Sequence, residues 1–517
     1  MPAKKPIKGI RNLFNRRSFI ALLVLAQLVF ITVMLFRSYQ LKWLATLLNL
    51  FSVITALHLL TRHDKSAYKL SLVFLILLLP VFGGAFYWIF HFQTTSVGYR
   101  RMLTRIAQKS HTAYLLPNGV SERAFAEAIQ NAPESRKQLH YMKKSTPFPV
   151  YRNTQTQYFG MGKEMLEALL NDLKKAEHYI FLEYFIIEEG KMWSSVLEVL
   201  RERVKEGVDV RIIYDDLGCF LTLPSNYAKT LQSYGIQCKL FNPFHPFLTS
   251  TQNNRDHRKI VSIDGKIAYT GGMNLADEYI GERIKHGKWK DSAIRLSGEG
   301  AWSFTVMFLQ FWYSLSKKEE DFEKFRPSPA FAVPQNDGWV LPYADSPMDK
   351  ENVGEHVYLQ IAEQAREYLY ITTPYLTVDD GMLSAIKLCA KSGVDVRIIM
   401  PDIPDKKLVH FTSRSYYRQL IEAGVRIYEY TGGFMHAKLF ISDDTVATVG
   451  TTNLDFRSLY LHFECGTCLY RTSSIMDIKQ DFLTTLESCR EITAKDCRSG
   501  PFHKFLQSIC RLFAPLM

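Results

Sequence analysis

The chain has 517 residues, 47% of them hydrophobic and 22% charged, and a formal net charge of +12. The length accommodates two or three domains with full cores, the composition fits a globular body with some membrane sequence, and the positive excess suits an anionic partner, either nucleic acid or anionic lipid. Eight cysteines show no disulfide framework. The C-x-x-C pair, Cys465 and Cys468, lacks the second pair a zinc ribbon needs, so both are expected in a buried strand.

Residues 1–92 read as a basic tail followed by two or three transmembrane helices. Lys4, Lys5, Lys8, Arg11, Arg16 and Arg17 precede an uncharged run from Phe19 to Phe36. No small-residue cleavage site follows, which argues against a removed signal peptide. Trp43 to Leu60 is a weaker run, interrupted by Asn49 and His58. Leu70 to Phe92 is the strongest, with Tyr87, Trp88 and Phe90 placed as an interfacial belt. With three spans the Lys/Arg balance puts the body outside the cytoplasm; with two it lies inside.

Residues 93–145 read as a basic, partly helical linker, after which the pattern becomes soluble α/β. Gly207-Val-Asp-Val-Arg-Ile-Ile213 recurs as Gly393-Val-Asp-Val-Arg-Ile-Ile399. Each copy follows a helix (Ser194 to Lys205; Met382 to Lys391), and each helix follows a strand (Tyr179 to Ile187; Tyr368 to Leu376). A spacing near 180 residues means domain duplication. The expected architecture is therefore two tandem mixed-sheet domains, 146–325 and 340–517, packed face to face as a pseudo-twofold pair. A connector rich in charge, Pro and Ser, roughly 316–345, separates them. The second domain ends in an apolar segment (Phe505, Leu506, Ile509, Leu512, Phe513) suited to an interface.

The chemistry lies in two strings of the form H-x-K-x4-D, His257-Arg-Lys259-Ile-Val-Ser-Ile-Asp264 and His436-Ala-Lys438-Leu-Phe-Ile-Ser-Asp443. Each is followed ten residues later by an asparagine, Asn274 or Asn453. His257, Lys259, Asp264, His436, Lys438 and Asp443 are the candidate catalytic residues, and Asn274 and Asn453 the candidate phosphate ligands. On a strand the His and Lys of each motif face the same way, and Asp264 and Asp443 begin the hairpin turns. Gly271 and Gly272 are expected to admit a ligand close to the backbone.

Two such surfaces face to face offer two imidazoles, two ammonium groups and two amides around one phosphate. One imidazole attacks phosphorus, and the other moves the proton of the departing and then the arriving hydroxyl. The lysines supply the positive charge, so no metal or cofactor is expected. Each imidazole needs an acceptor on its other nitrogen. Asp291 and Glu464, each about thirty residues after the histidine of its own repeat, are the candidates. His245, His410 and His462 cluster nearby without metal-ligand spacing.

These motifs resemble the phospholipase D superfamily. Asn254-Arg-Asp-His257-Arg-Lys259, Gly271-Gly-Met-Asn274 and Trp289-Lys-Asp291 are similar to the first motif block of its bacterial cardiolipin synthases. Phe434-Met-His436-Ala-Lys438 and Gly450-Thr-Thr-Asn453-Leu-Asp455-Phe-Arg457-Ser458 are similar to the second. The C-terminal Arg511-Leu-Phe-Ala-Pro515-Leu-Met517 and the Leu79-Pro80-Val-Phe-Gly83-Gly84 stretch are similar to that family as well.

The resemblance implies transfer between two phosphatidylglycerols, giving cardiolipin and glycerol, in a multi-pass protein of the bacterial plasma membrane. It implies His257 as nucleophile and His436 as general acid/base, an order the residues alone leave open. Hydrolysis by a phospholipase D, or transfer to another alcohol, is the near alternative. A nuclease is the remote one, since membrane runs favour lipid over nucleic acid.

Overall fold

The computed structural model describes residue 29 and residues 42–62, 65–79, 83–84, 87–88, 94–116, 119–243, 253–327 and 337–517. It divides into two compact units. One holds residues 1–99, 244–253 and 512–517, and the other holds 100–243 and 254–511.

In the first unit the helices Lys42–Leu60 and Ser66–Leu78 pack through Ala56, Leu59, Leu72 and Ile76, with Tyr87 in the same cluster. His58 stacks on Trp88 at 5.0 Å, and the Trp88 indole donates to Thr55 Oγ1 at 3.0 Å. Among the described residues no helix is long and apolar enough to cross a membrane. Of the expected spans, Phe19 to Phe36 lies outside the described residues apart from Val29. The middle run is a 19-residue helix, but it begins on a lysine and carries Thr, Asn, Ser and His. In the run expected from Leu70 to Phe92, the helix Ser66–Leu78 ends where Leu79 precedes Pro80 and leaves helical geometry at φ −125°, ψ 71°; Gly83, Gly84, Tyr87 and Trp88 are again helical, and the rest of the run lies outside the described residues. These helices nonetheless expose Trp43, Leu50, Ile54, Leu57, Leu70 and Leu78.

The second unit holds two sheets. The strands β1 (Thr154–Phe159), β2 (Tyr179–Tyr184), β3 (Asp209–Asp215), β4 (Gln237–Phe241), β5 (Lys259–Ile263), β6 (Ile267–Gly271), β7 (Lys288–Lys290) and β8 (Ala293–Gly298) come first. All but β7 form a seven-stranded sheet in the order β1-β8-β6-β5-β2-β3-β4. The strands β9 (Trp339–Asp345), β10 (Tyr368–Thr372), β11 (Leu376–Thr377), β12 (Asp395–Pro401), β13 (Arg426–Tyr430), β14 (Gly433–Met435), β15 (Leu439–Ser442), β16 (Val446–Gly450), β17 (Leu454–Asp455), β18 (Glu464–Tyr470) and β19 (Cys489–Ile492) follow. Eight of these form a second sheet, β19-β13-β12-β10-β15-β16-β18-β9.

Both sheets repeat one logic. A fully buried apolar strand, β2 or β10, pairs parallel with the Val-Arg-Ile-Ile strand on one side and antiparallel with the strand that follows the H-x-K motif on the other. The crossover helices, Lys191–Lys205 and Asp380–Lys391, bury Met192, Trp193, Val196 and Leu200 and, in the second, Met382, Leu383 and Ile386. Such βαβ units place active residues at the C-terminal ends of the parallel strands. Tyr184, the last residue of β2, pairs with Lys259 and so brings the motif to that edge.

The two sheets meet at β6, β16 and β18, where Thr270 lies 3.4 Å from the Cys465 thiol. Cys465 and Cys468 are buried and unbridged within β18. The C-terminal helix, Pro501–Phe513, lays Arg511 over Tyr416 at 4.3 Å and exposes Phe502 and Phe505.

Candidate active site

Two short parallel pairings between the halves build the site. In one, the His257 N–H donates to the Phe463 carbonyl at 2.9 Å, and the Phe463 N–H donates to the Arg255 carbonyl at 2.9 Å. In the other, β14 pairs with β7, Met435 opposite Lys290, and the His436 N–H donates to the Lys290 carbonyl at 2.7 Å. Phe463 precedes Glu464 and Lys290 precedes Asp291. Each pairing therefore seats a histidine of one half beside the acid of the other.

His257 Nδ1 lies 2.9 and 3.0 Å from the Glu464 carboxylate oxygens, and His436 Nδ1 lies 2.6 Å from Asp291 Oδ2. This corrects the association of each acid with its own repeat: the partnership is crossed. A carboxylate only accepts, so it fixes the proton on Nδ1 and leaves the Nε2 lone pair free to attack or to take a proton.

Each acid is held in turn by its own half. Thr451 donates to Glu464 Oε2. At the equivalent position a Cβ on Gly272 would lie 2.1 Å from Asp291 Oδ1, so this glycine makes room for a carboxylate rather than for a ligand.

Lys259 Nζ donates to the His257 carbonyl at 2.6 Å, and Lys438 Nζ donates likewise to that of His436. Both ammonium groups are buried. Burial, aided by the charge of Lys438 and opposed by Glu464 and Asp291, pushes Lys259 down to about 7, and burial opposed by Asp291 and Glu464 pushes Lys438 down to about 8. Burial and the two lysines also hold the His257 imidazole well below its ordinary value, and His436 is pushed down to about 4 by burial and Lys438 against the opposing pull of Asp291. The site thus holds neutral imidazoles in a field that favours an anion.

Asp264 and Asp443 lie elsewhere. Five residues along a strand carry Asp264 roughly 16 Å from Lys259. There its carboxylate accepts the backbone N–H groups of Glu177, His178 and Tyr179, each at 2.8 Å. Asp443 accepts those of Arg366, Glu367 and Tyr368 at 2.8 to 3.0 Å. Both residues adopt positive φ, 51° and 54°, in their turns. They anchor the entry to β2 and β10 and do not reach the histidines, which corrects their grouping with the catalytic residues.

The asparagines are partly engaged within the fold. Asn274 accepts from the Ile186 N–H at 3.1 Å and donates to the Tyr279 hydroxyl at 2.7 Å. Asn453 donates to Ser458 Oγ at 3.1 Å, and its side-chain oxygen has no hydrogen-bond partner among the described residues.

The surroundings differ between the two imidazoles. Trp289, Phe434 and Tyr279 lie 5.3, 5.5 and 5.8 Å from His436. Phe185 and His462 lie 5.1 and 5.5 Å from His257. His462 and Trp289 occupy matching positions, two residues before each acid, a signal the spacing carried but only the paired geometry makes legible.

Ligand atoms of His257, His462 and Glu464 fall within 4.8 Å of one another. The charges of Lys259 and Lys438, which bear on His257, oppose a cation there. His410 sits half-buried in the helix Lys407–Ile421, and His245 lies outside the described residues.

A family model described as cardiolipin synthase, PLD-like domain, matches residues 169–284 and 358–486. The chain is 38% identical over 371 residues to a cardiolipin synthase of Alkalihalophilus pseudofirmus, covering 71% of this chain and 73% of the relative. It is 33% identical over 505 residues to one of Geobacillus sp. (strain WCH70), covering 97% and 99%. Its fold is similar to that of a phosphatidylserine synthase of Haemophilus influenzae, with a TM-score of 0.54 at 15% identity over 70% of this chain and 95% of that one.

Proposed function

Since the chain belongs to the cardiolipin synthase family and is a phosphatidyltransferase, we propose that its crossed His–carboxylate pairs join two phosphatidylglycerols into cardiolipin and glycerol. The observation that carries this reading is the pair of buried imidazoles, each held at Nδ1 by the other half's acid and each beside a lysine.

In the first step His257 Nε2 attacks phosphorus, the phosphorus–oxygen bond to glycerol breaks, and His436 gives its proton to the departing alkoxide. The phosphodiester's negative charge raises the His436 affinity for that proton when substrate is bound. In the second step His436 takes the proton of a hydroxyl on a second phosphatidylglycerol, whose oxygen displaces His257 from phosphorus. Lys259 and Lys438, with Asn274 and Asn453, stabilise the equatorial oxygens. The exposed apolar faces of the N-terminal helices suit a protein held in the bacterial plasma membrane.

One phosphodiester replaces another, so the free-energy change is small and the reaction reversible. Purified protein in mixed micelles, with products separated over a glycerol series, tests this. Added glycerol should slow net cardiolipin formation and, in excess, return cardiolipin to phosphatidylglycerol. Phosphatidic acid as the main product at high phosphatidylglycerol would replace the synthase reading with a hydrolase.

A further inference from the structure

Around the two histidines, at the strand edge that carries them, three loops raise isolated apolar side chains into solvent. The first follows β3. It folds down onto Phe185, the ring beside His257, so closely that a Cβ on Gly218 would lie 2.1 Å from the Phe185 carbonyl oxygen. Thr222 Oγ1 pins it further by donating to the Ile187 carbonyl at 2.7 Å. From this base Phe220 and Leu221 project, and Leu221 is 92% exposed.

The second loop leads into β7, and hence to Trp289 beside His436. Its tip, Ile284, is 89% exposed. The third follows β12 and carries Ile403, and the helix Lys407–Ile421 that continues it carries Leu408 in its first turn, both exposed. It touches the second, since a Cβ on Gly287 would meet Ile403 Cδ1 at 3.2 Å.

Basic residues stand beside the second and third tips, while the first loop carries Asp216 and no basic residue. Arg283 and Lys285 flank Ile284, Lys288 follows, and Lys406 and Lys407 precede Leu408. Acids stand among them: Glu188 pairs with Arg283 at 2.5 Å, Glu278 lies 3.8 Å from Lys285, Glu282 pairs with Lys191 at 2.7 Å, and Asp405 accepts from the Tyr375 hydroxyl at 2.6 Å, leaving Lys288, Lys406, Lys407 and Asp402 beside the tips. The positive charge of Lys406 reaches His257 itself.

We propose that these three loops form a docking collar that enters an anionic phospholipid bilayer. Leu221, Phe220, Ile284, Ile403 and Leu408 reach the acyl region while the lysines and Arg283 meet the head groups. The site then opens directly onto the lipids it consumes. Separate apolar tips, two of them at near-full exposure, with basic residues beside the second and third, match a headgroup boundary better than the contiguous apolar centre of a protein interface. This inference rests on the lipid-transfer reading above.

The test uses the full chain in vesicles containing phosphatidylglycerol, with a fluorescent amino acid placed in turn at 221, 284 and 388. Leu388, 66% exposed, lies near the end of its crossover helix, toward the opposite edge of the sheet, and serves as reference. Fluorescence at 221 and 284 should be quenched by lipids brominated on their acyl chains and protected from aqueous iodide; at 388 the pattern should reverse. Iodide access at 221 and 284 without quenching by brominated lipid would overturn the collar.

Leu221→Asp and Ile284→Asp should each raise the apparent KM for vesicle-borne phosphatidylglycerol by roughly tenfold or more, the scale of one aliphatic side chain withdrawn from hydrocarbon. Turnover of a short-chain, monomeric phosphatidylglycerol should stay unchanged. Equal losses on both substrates would mean a folding defect and defeat the collar. A parent protein inactive on either lipid would sink the synthase reading and leave the quenching result to decide the collar alone.

Discussion

In the first half the histidine sits in the run Asn254-Arg255-Asp256-His257-Arg258-Lys259; in the second it sits in Gly433-Phe434-Met435-His436-Ala437-Lys438. The first run is supported by buried charge. Arg258 lies 2.6 Å from Glu183 and 3.3 Å from Asp256, with its guanidinium 4.0 Å over the Phe311 ring, and Arg255 lies 3.1 Å from Asp215. The second run is supported by packing, with Phe434 against Trp289 at 4.9 Å. Opposite means thus deliver the same product, an imidazole whose Nδ1 faces a carboxylate of the other half. The chemistry of this site depends on the position of two nitrogen atoms, which either support supplies.

The comparison is broken most severely by removing either imidazole. His257→Ala and His436→Ala should each cost at least 10²–10⁴-fold in kcat, the range for losing acid–base help alone. In the His436→Ala protein a lipid adduct should accumulate on His257; an adduct on His436 in the reciprocal variant would reverse the roles.

Next come the acids. Glu464→Gln and Asp291→Asn should lower kcat by roughly 10³-fold with little change in KM, because a wrong tautomer harms the transition state rather than binding. The crossing makes a sharper claim. In double-mutant cycles Glu464 should couple to His257 and Asp291 to His436, whereas pairs within one repeat should come closer to additivity. Coupling within each repeat would contradict the crossed geometry.

The supports separate by stability. Arg258→Met leaves Glu183 and Asp256 buried without their cation and should cost about 3–5 kcal/mol in denaturant unfolding. Phe434→Leu, a change of packing alone, should cost less than about 2 kcal/mol. Equal costs would mean that the charged network adds nothing to its half.

The pH profile gives a smaller effect. Binding a phosphodiester favours the charged lysines, whose pKa values are depressed to about 7 and about 8. Affinity should therefore be full only well below about 7 and fall as pH rises through about 7 and then about 8. The basic limb of kcat/KM, which reports the free enzyme, should decline by about tenfold per pH unit for one deprotonated lysine. Lys259→Arg, which does not titrate in this range, should move that limb upward.

The smallest effect is expected at the unmatched pair. Neither ring nitrogen of His462 has a hydrogen-bond partner among the described residues. His462→Trp, which makes the His257 side resemble the other, should change turnover by less than about tenfold, the value of one ordinary hydrogen bond. A larger loss would mean that this imidazole touches substrate.

Much of this was legible from local pattern. The recurring Val-Asp-Val-Arg-Ile-Ile strand and its preceding amphipathic helix announce the duplication, and H-x-K on a strand places imidazole and ammonium together. The aspartates that complete both motifs misled, because recurrence marks them as necessary without saying for what. Their work is to accept three backbone N–H groups at the entry to a neighbouring strand. Gly272 misled in the same way, since the empty space it leaves belongs to a carboxylate and not to a ligand.

What the residues by themselves determined is therefore the inventory: a duplicated α/β body, two imidazoles, two lysines and two acids at matched positions. Strand periodicity and buried apolar runs are local properties, and they survive reading one residue after another. Which acid serves which histidine was decided by the tertiary structure alone. Glu464 lies 207 positions from His257, and Asp291 lies 145 from His436. Nothing along the chain relates them until β7 meets β14 and Phe463 meets Asp256, backbone pairings that any side chains could make and that no sequence pattern encodes.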